Sequence, residues 1–88
     1  MNPPLNTTTD LATLPLSSIA RLIRANWAKV NYAAAPYLQA MATLHSITDS
    51  YGYDSGHSIV RYFLSNASSF RGPVAKEIKS ELNRRLKA

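Results

Sequence analysis

The stretch LSSIARLIRANWAKV, residues 16–30, carries the clearest amphipathic pattern in this chain. Its apolar residues recur every three or four positions, which aligns them on one side of an α-helix. This stripe consists of Leu16, Ile19, Ile23, Trp27 and Val30. Arg21 and Arg24 fall on the opposite side. Ser17 or Ser18 can cap the first turn by accepting a backbone N–H. We therefore predict a first helix over residues 16–30, with its apolar stripe against a core.

Three more segments show helical periodicity, each with turn or cap signals near its start. Pro36 fits the first turn of a second helix over residues 34–46, because a missing N–H costs nothing there. The apolar side of this helix holds Tyr37, Leu38, Met41, Ala42 and Leu44. A third helix is predicted after the turn residues TDSYGYDSG, with the face Ile59, Val60, Phe63, Ala67 and Phe70. Pro73 likewise suits the start of a last helix over residues 72–87, whose buried stripe is Val74, Ala75, Ile78, Leu82 and Leu86.

These segments predict an all-α fold, a small single-domain bundle of four helices over residues 16–88. No segment shows strand signals. The predicted core consists of Ile19, Ile23, Trp27, Leu38, Met41, Leu44, Ile59, Phe63, Val74, Ile78 and Leu82. Residues 1–15 hold three prolines and four threonines without a clear period, so we predict a flexible or irregular arm there. Leu5, Leu11 and Leu14 are positioned to pin part of this arm against the body.

A polar segment, DSYGYDSGHSIVRYFLSN at residues 49–66, contains the residue types of a Ser–His–Asp triad. Triad members normally converge from separated segments, whereas here they lie within a few residues on one turn, without a nucleophile-elbow pattern. We therefore predict no catalytic residue and interpret the segment as a turn followed by a helix cap at Asp54 or Ser55. A metal site is also rejected, since two histidines without cysteine make a thin ligand set.

The composition limits the classes of function. With 88 residues and no cysteine, the chain has room for one domain and lacks disulfides and thiolate zinc sites, which suits a reducing cytoplasm. Residues 1–20 contain no Lys or Arg, and no apolar segment typical of a secretory signal follows. The longest run without charged residues, 30–48, is interrupted by polar side chains, so we predict no membrane span. We expect a cytoplasmic protein without cofactors, metals or a small-molecule substrate.

Positive charge is concentrated in the last helix. The formal net charge is +5, and residues 71–88 hold six basic and two acidic residues. On a helical wheel, Glu81 is spaced to pair with Arg84 and Arg85, while a separate strip carries no acidic residue. This strip consists of Lys76, Lys79, Asn83 and Lys87. The candidate partner-binding residues are Arg71, Lys76, Lys79, Asn83, Arg84 and Lys87. The alternative interpretation is an ordinary solvated lysine face.

Two other features bear on nucleic-acid binding. The third and fourth helices form a helix–turn–helix pattern, but the last helix begins with Gly72, Pro73 and Val74, which are poor base-reading groups. Contact with DNA would therefore go mainly to phosphates. The aromatic residues Tyr32, Tyr37, Tyr51, Tyr53, Tyr62 and Trp27 are potential stacking groups. We favour packing of the tyrosines at the rim of a small core over stacking on bases.

Two sequence blocks, PYLQAM at residues 36–41 and SIVRYFLSNA at residues 58–67, carry a resemblance to known proteins. Over about residues 16–87 the chain resembles a group of short, uncharacterised bacterial proteins carried on plasmids, integrative elements and prophages. The resemblance implies that the protein is an accessory protein of a mobile genetic element. Such proteins often bind DNA or act on host defence and regulatory proteins.

The sequence therefore suggests a non-enzymatic accessory protein that binds another protein, as an inhibitor or adaptor, and that can counteract host defence. The expected partner is an acidic protein or a second copy of the chain. The alternative is a nucleic-acid-binding protein that contacts phosphates through the basic carboxyl-terminal helix. A hydrolase is the third alternative.

Overall fold

The computed structural model describes residues 11–87 as a mostly helical domain with a small sheet. Its helices are α1 (Leu16–Asn26), α2 (Ala35–Met41), α3 (Gly56–Ser65) and α4 (Pro73–Lys87), and residues 11–13 are also helical. Two short antiparallel strands, β1 (Ser50–Tyr51) and β2 (Asp54–Ser55), lie before α3. The molecule is therefore helical as predicted, but it is not the purely α four-helix bundle that the sequence suggested.

The start of α1 is capped by backbone from elsewhere in the chain. Pro15 occupies the N-cap position and makes no side-chain hydrogen bond, so the predicted caps Ser17 and Ser18 are wrong. Instead, the N–H groups of Leu16 and Ser17 donate to the carbonyls of His45 and Leu44, at 2.9 and 2.8 Å. These bonds satisfy first-turn amides that an isolated helix leaves unpaired. They also fix α1 against the segment that follows α2.

Helix α1 ends at Asn26, four residues before the predicted end at Val30. Trp27 adopts an extended conformation, with φ −124° and ψ 93°, and its ring enters the core. There it stacks on Phe70 at 5.2 Å between ring centroids and meets the edge of Phe63 at 6.1 Å. Burial of three aromatic rings outweighs the few tenths of a kcal/mol per residue of helix propensity lost at this end.

Helix α2 begins with Pro36 in its first turn, as predicted, but it ends at Met41 rather than Ser46. The carboxylate of Asp49 explains the early end, because its Oδ2 accepts the N–H groups of His45 and Ser46, each at 3.0 Å. Side-chain bonds of this kind compete with the helical ladder for backbone amides. His45, which follows the helix, is exposed.

The hairpin before α3 was not predicted, and the expected absence of strands is corrected here. Ser50 pairs with Ser55 and Tyr51 with Asp54, around a turn in which Gly52 has φ +62°. Strands of two residues are too short to show an alternating pattern in a sequence. The predicted cap at Ser55 is confirmed, because its Oγ accepts the N–H of Ser58 at 3.1 Å.

One apolar core joins the helices: α1 packs against α2 and α4, and α3 packs against the same two. Every predicted core residue is buried except Val74, which is half-buried at the edge. Residues 1–10 of the predicted arm lie outside the described residues. Of the rest of that arm, residues 11–13 are helical and Leu11 is buried in the core. Within residues 11–87, no helix combines the length and apolar character needed to cross a membrane.

Candidate binding surface at the start of the last helix

A depression of about 600 Å³ lies where the chain enters α4. We call it the basic groove, and it is lined by Phe70, Arg71, Gly72, Pro73, Ala75, Lys76 and Lys79. Three of these residues are cationic and none is acidic. The structure therefore brings Arg71, Lys76 and Lys79, all predicted partner-binding residues, to one concave site.

The short connection between α3 and α4 shapes this groove. The N–H of Phe70 donates to the carbonyl of Ala67 at 3.0 Å, which turns the chain after α3. Gly72 then adopts φ +109°, a conformation that residues with a side chain rarely tolerate. Pro73 follows as the first residue of α4, and the N–H of Lys76 closes the first turn on the carbonyl of Gly72 at 3.0 Å. The Gly–Pro pair thus sets the direction in which α4 leaves the connection, and with it the position of Arg71 relative to Lys76 and Lys79.

Phe70 forms the floor of the basic groove and holds Lys79 in place. Its ring is only 1% exposed, since Trp27 stacks on it with an interplanar angle of 24°. The Nζ atom of Lys79 lies over the same ring, 5.8 Å from its centroid. A cation at this distance is attracted by the quadrupole of the ring. Lys79 is therefore half-buried above the groove, and Phe70 offers no open face for a nucleobase.

Beyond the groove, the basic strip continues along α4. Lys76, Asn83 and Lys87 are exposed, as the wheel predicted. At a rise of 1.5 Å per residue, Lys76 and Lys87 lie about 16 Å apart along the helix. The side-chain amide of Asn83 donates to the carbonyl of Lys79 at 2.9 Å, so part of its polar capacity is used within the helix. Lys76, Asn83 and Lys87, together with the half-buried Lys79, form one line of polar groups that starts at the groove.

The remaining predicted partner residue, Arg84, lies on another side of α4 and is engaged with Glu81. It donates to Glu81 through Nε at 2.9 Å and through a terminal nitrogen at 2.6 Å. Arg85 adds a bond to the same carboxylate at 2.6 Å and donates to the carbonyl of Leu11 at 2.7 Å. The predicted spacing of Glu81 with both arginines is confirmed. The structure does not bring Arg84 to the basic groove.

Burial and pairing shift the pKa values of Glu81 and Arg84 in this ion cluster. Glu81 is only 7% exposed, and a carboxylate at such a site is stable when its charge is paired and hydrogen-bonded. The hydrogen bonds from Arg84, followed by those from Arg85, hold the pKa of Glu81 below its usual value. The same contact raises the pKa of Arg84. The cluster therefore belongs to the framework that positions α4 rather than to the groove.

The side chains of the polar segment at residues 49–66 serve local structure. The Oγ of Ser55 caps α3, and it also donates to the Oγ of Ser58 at 3.3 Å. Asp49 uses its carboxylate to bind backbone, and these bonds, from Ser46 first and then His45, lower its pKa. Within residues 11–87, no group of three or more His, Cys, Asp or Glu side chains is placed to hold a metal ion.

The tyrosines only partly follow the predicted packing at the rim of the core. Tyr37 is half-buried and packs on Tyr62, with 5.5 Å between ring centroids. Tyr32 is 88% exposed and Tyr53 is fully exposed, so rim packing is wrong for these two. Asn66 links part of this region, since its side chain donates to the carbonyl of Tyr62 at 2.9 Å and its own carbonyl accepts from Asn31 at 3.2 Å.

Sequence reasoning missed two features of the groove. Phe70 was assigned to the core side of α3, whereas it follows that helix and supports Lys79. Gly72 was assigned to the start of the last helix and noted as a poor base-reading group, whereas it forms the turn before that helix. The Gly–Pro pair was the available signal, because it marks a turn whose flanking residues are brought close together.

Comparison with known proteins identifies no relative: no protein-family model, curated protein or solved structure matches this chain. Inference about function therefore depends on the chain's own residues and their arrangement.

Proposed function

We propose that this chain is a non-enzymatic accessory protein of a mobile genetic element that binds an acidic partner protein in the cytoplasm. It acts as an inhibitor or adaptor, for example one that counteracts host defence. The binding surface is the basic groove together with the exposed strip of α4. The observation that supports this proposal is the convergence of Arg71, Lys76 and Lys79 on one groove without an acidic neighbour in its lining.

The charge of this surface favours a foreign partner over a second copy of the chain. Isolated exposed ion pairs contribute only about 0.2–1 kcal/mol each, so a single lysine would add little to the affinity for a partner. Several like charges along one edge instead create a field that accelerates encounter with an acidic surface and repels a basic one. Two copies of this chain, each with a net charge of +5, would repel each other if these surfaces met.

A charge-reversal experiment tests the proposal. The surface variant is Lys76→Glu with Lys87→Glu, and the matched control is Arg21→Glu with Arg24→Glu on α1, which changes the net charge equally. All four residues are exposed. A protein captured from a host lysate is identified and purified, and its dissociation constant is measured by calorimetry with the wild type and both variants. We expect an acidic partner whose Kd rises at least tenfold, about 1.4 kcal/mol, only with the surface variant. Equal affinity for both variants would contradict the proposal.

The second candidate function is binding of nucleic acid through phosphate contacts. It is favoured by the line of lysines along α4, which extends about 16 Å without an acidic residue. Four phosphate contacts, from Arg71 and three lysines, would give a slope of about −3 to −4 for log K against log salt on duplex DNA. A gel-shift titration at several salt concentrations measures this slope. No binding to DNA or RNA at low salt eliminates this function.

A further inference from the structure

We infer that the basic groove accepts a short segment of the partner in which an apolar side chain is flanked by carboxylates. This inference rests on the proposed function, and it specifies the chemistry of the bound segment. The groove combines two features that the rest of the exposed strip lacks: an exposed apolar wall at Gly72 and Pro73, and cations contributed both by the connection before α4 and by α4 itself.

The groove also has an exposed apolar wall, which a charged ligand alone would not cover. Phe70 and Ala75 are buried beneath the groove, and Pro73 forms an exposed apolar wall beside them. The space beside the Cα of Gly72 is open, with no atom within 4 Å of the position where a Cβ would lie. An open depression of about 600 Å³ has room for a side chain of a bound segment. The apolar surface of the groove that remains in contact with water is that of Gly72 and Pro73, and a leucine-sized side chain would cover it better than a carboxylate.

The cations at the rim determine which residues flank that apolar side chain. Arg71 precedes the turn and is exposed, and its Nε donates to the carbonyl of Ser68 at 3.4 Å. This contact orients the guanidinium, whose terminal N–H groups can pair with a carboxylate. Lys76 and Lys79 line the same groove from the first two turns of α4. A segment bound in the groove would therefore meet cations from two parts of the fold, the connection and α4, with the apolar wall of Gly72 and Pro73 between them in the chain.

The same geometry favours a peptide over a nucleic acid. Single-stranded nucleic acids gain affinity by stacking bases on open aromatic faces. Among the lining residues of the groove the only aromatic ring is that of Phe70, which is covered by Trp27 and Lys79. Phosphodiesters would pair with the cations of the lining and leave the apolar wall at Pro73 uncovered. A peptide with an apolar residue between carboxylates uses both.

The test uses the full chain labelled with nitrogen-15 and two synthetic peptides. The first has the sequence Glu-Glu-Leu-Glu-Glu, and the second has serine in place of leucine. Both peptides have the same charge, so they differ only in the apolar side chain. We expect the leucine peptide to shift the amide signals of residues 70–79 in a saturable way and to bind at least fivefold more tightly, as expected for partial burial of one leucine. A single-stranded oligothymidine of equal charge serves as the third probe and should bind more weakly than the leucine peptide.

Two lysine variants then locate the site. Lys76 lines the groove, whereas Lys87 belongs to the same strip but lies outside it. We expect Lys76→Ala to weaken binding of the leucine peptide about threefold and Lys87→Ala to leave it nearly unchanged.

Equal affinity for the two peptides, or equal weakening by the two variants, overturns the inference but not the proposed function, since either result would show diffuse attraction to an acidic ligand. The absence of saturable shifts with either peptide at millimolar concentration also overturns the inference. In that case the measurements on the purified partner decide the proposed function separately. Tighter binding of the oligothymidine than of both peptides overturns the inference and favours the second candidate function.

Discussion

Gly56, the first residue of α3, provides the sharpest test of the fold. It is buried against the segment after α2, and its N–H donates to the carbonyl of Asp49 at 2.7 Å. A Cβ at this position would lie 2.5 Å from the carbonyl oxygen of Ile47 and 2.8 Å from its carbonyl carbon. Ordinary contacts between such atoms are about 1 Å longer. Gly56→Ala therefore forces the backbone at Ile47 to move, because no flexible side chain is available to yield.

The expected magnitude follows from two opposing effects. Alanine is a better helix former than glycine by up to about 1 kcal/mol, which by itself would stabilise α3. Insertion of a methyl group into a close-packed contact costs about 1–3 kcal/mol. We therefore expect a net destabilisation of about 1–2 kcal/mol. In a domain of this size, that loss lowers Tm by about 5–15 °C.

Thermal unfolding followed by circular dichroism at 222 nm measures this loss. Gly52→Ala is the control, because Gly52 has φ +62° but no atom within 4 Å of a Cβ, so only local backbone strain is added. Hydrogen exchange separates the two variants. Movement of Ile47 should disturb the nearby carbonyls of His45 and Leu44, which accept the N–H groups of Leu16 and Ser17. Hydrogen exchange at these two amides should therefore be faster in Gly56→Ala and unchanged in Gly52→Ala. A Tm equal to or above that of the wild type would refute the close contact.

Three further predictions concern the cap, the ion cluster and the core. Ser55→Ala removes the acceptor at the start of α3 and should destabilise the protein by about 1 kcal/mol in urea unfolding, whereas Ser58→Ala should cost less than about 0.5 kcal/mol. Since Arg84 lowers the pKa of Glu81, this carboxylate stabilises the fold fully above about pH 4.3 and progressively less as the pH falls through the lowered value. Urea unfolding of Glu81→Gln between pH 7 and about pH 2 should therefore show a smaller loss of stability on acidification than the wild type; an equal loss would exclude this role. Trp27→Ala should cost about 3–5 kcal/mol and abolish the near-ultraviolet dichroism of the aromatic cluster; native-like near-ultraviolet dichroism would contradict this packing.

The positions of the helices and most of the core could be predicted because burial imposes a period of 3.6 residues on the sequence. The ends of the helices could not, since they depend on contacts between distant residues. Trp27 continues the stripe of α1 in sequence, yet its ring is held by Phe70, which lies 43 positions later. Asp49 ends α2 from outside the helix. A periodic pattern contains no information about either contact.

The candidate site was predictable to a similar degree. A helical wheel places Lys76, Lys79 and Lys87 on one strip because the spacing within a single helix is fixed. The groove needs the angle between the α3–α4 connection and α4, which depends on the conformation of Gly72. The support of Lys79 by Phe70 is likewise a tertiary contact. Residues of one element were therefore identified, whereas their concave arrangement required the folded chain.

The bond from Arg85 to the carbonyl of Leu11 joins residues 74 positions apart, close to the two ends of the described chain. Loss of the segment around Leu11 would deprive the final turn of α4 of a lateral anchor, and the carboxyl end would then fray more readily. Fusion partners or fluorophores attached near opposite ends of residues 11–87 would consequently report on one shared corner of the molecule. A deletion from the amino terminus that removes Leu11 would therefore perturb Lys87, although it leaves the sequence of α4 intact.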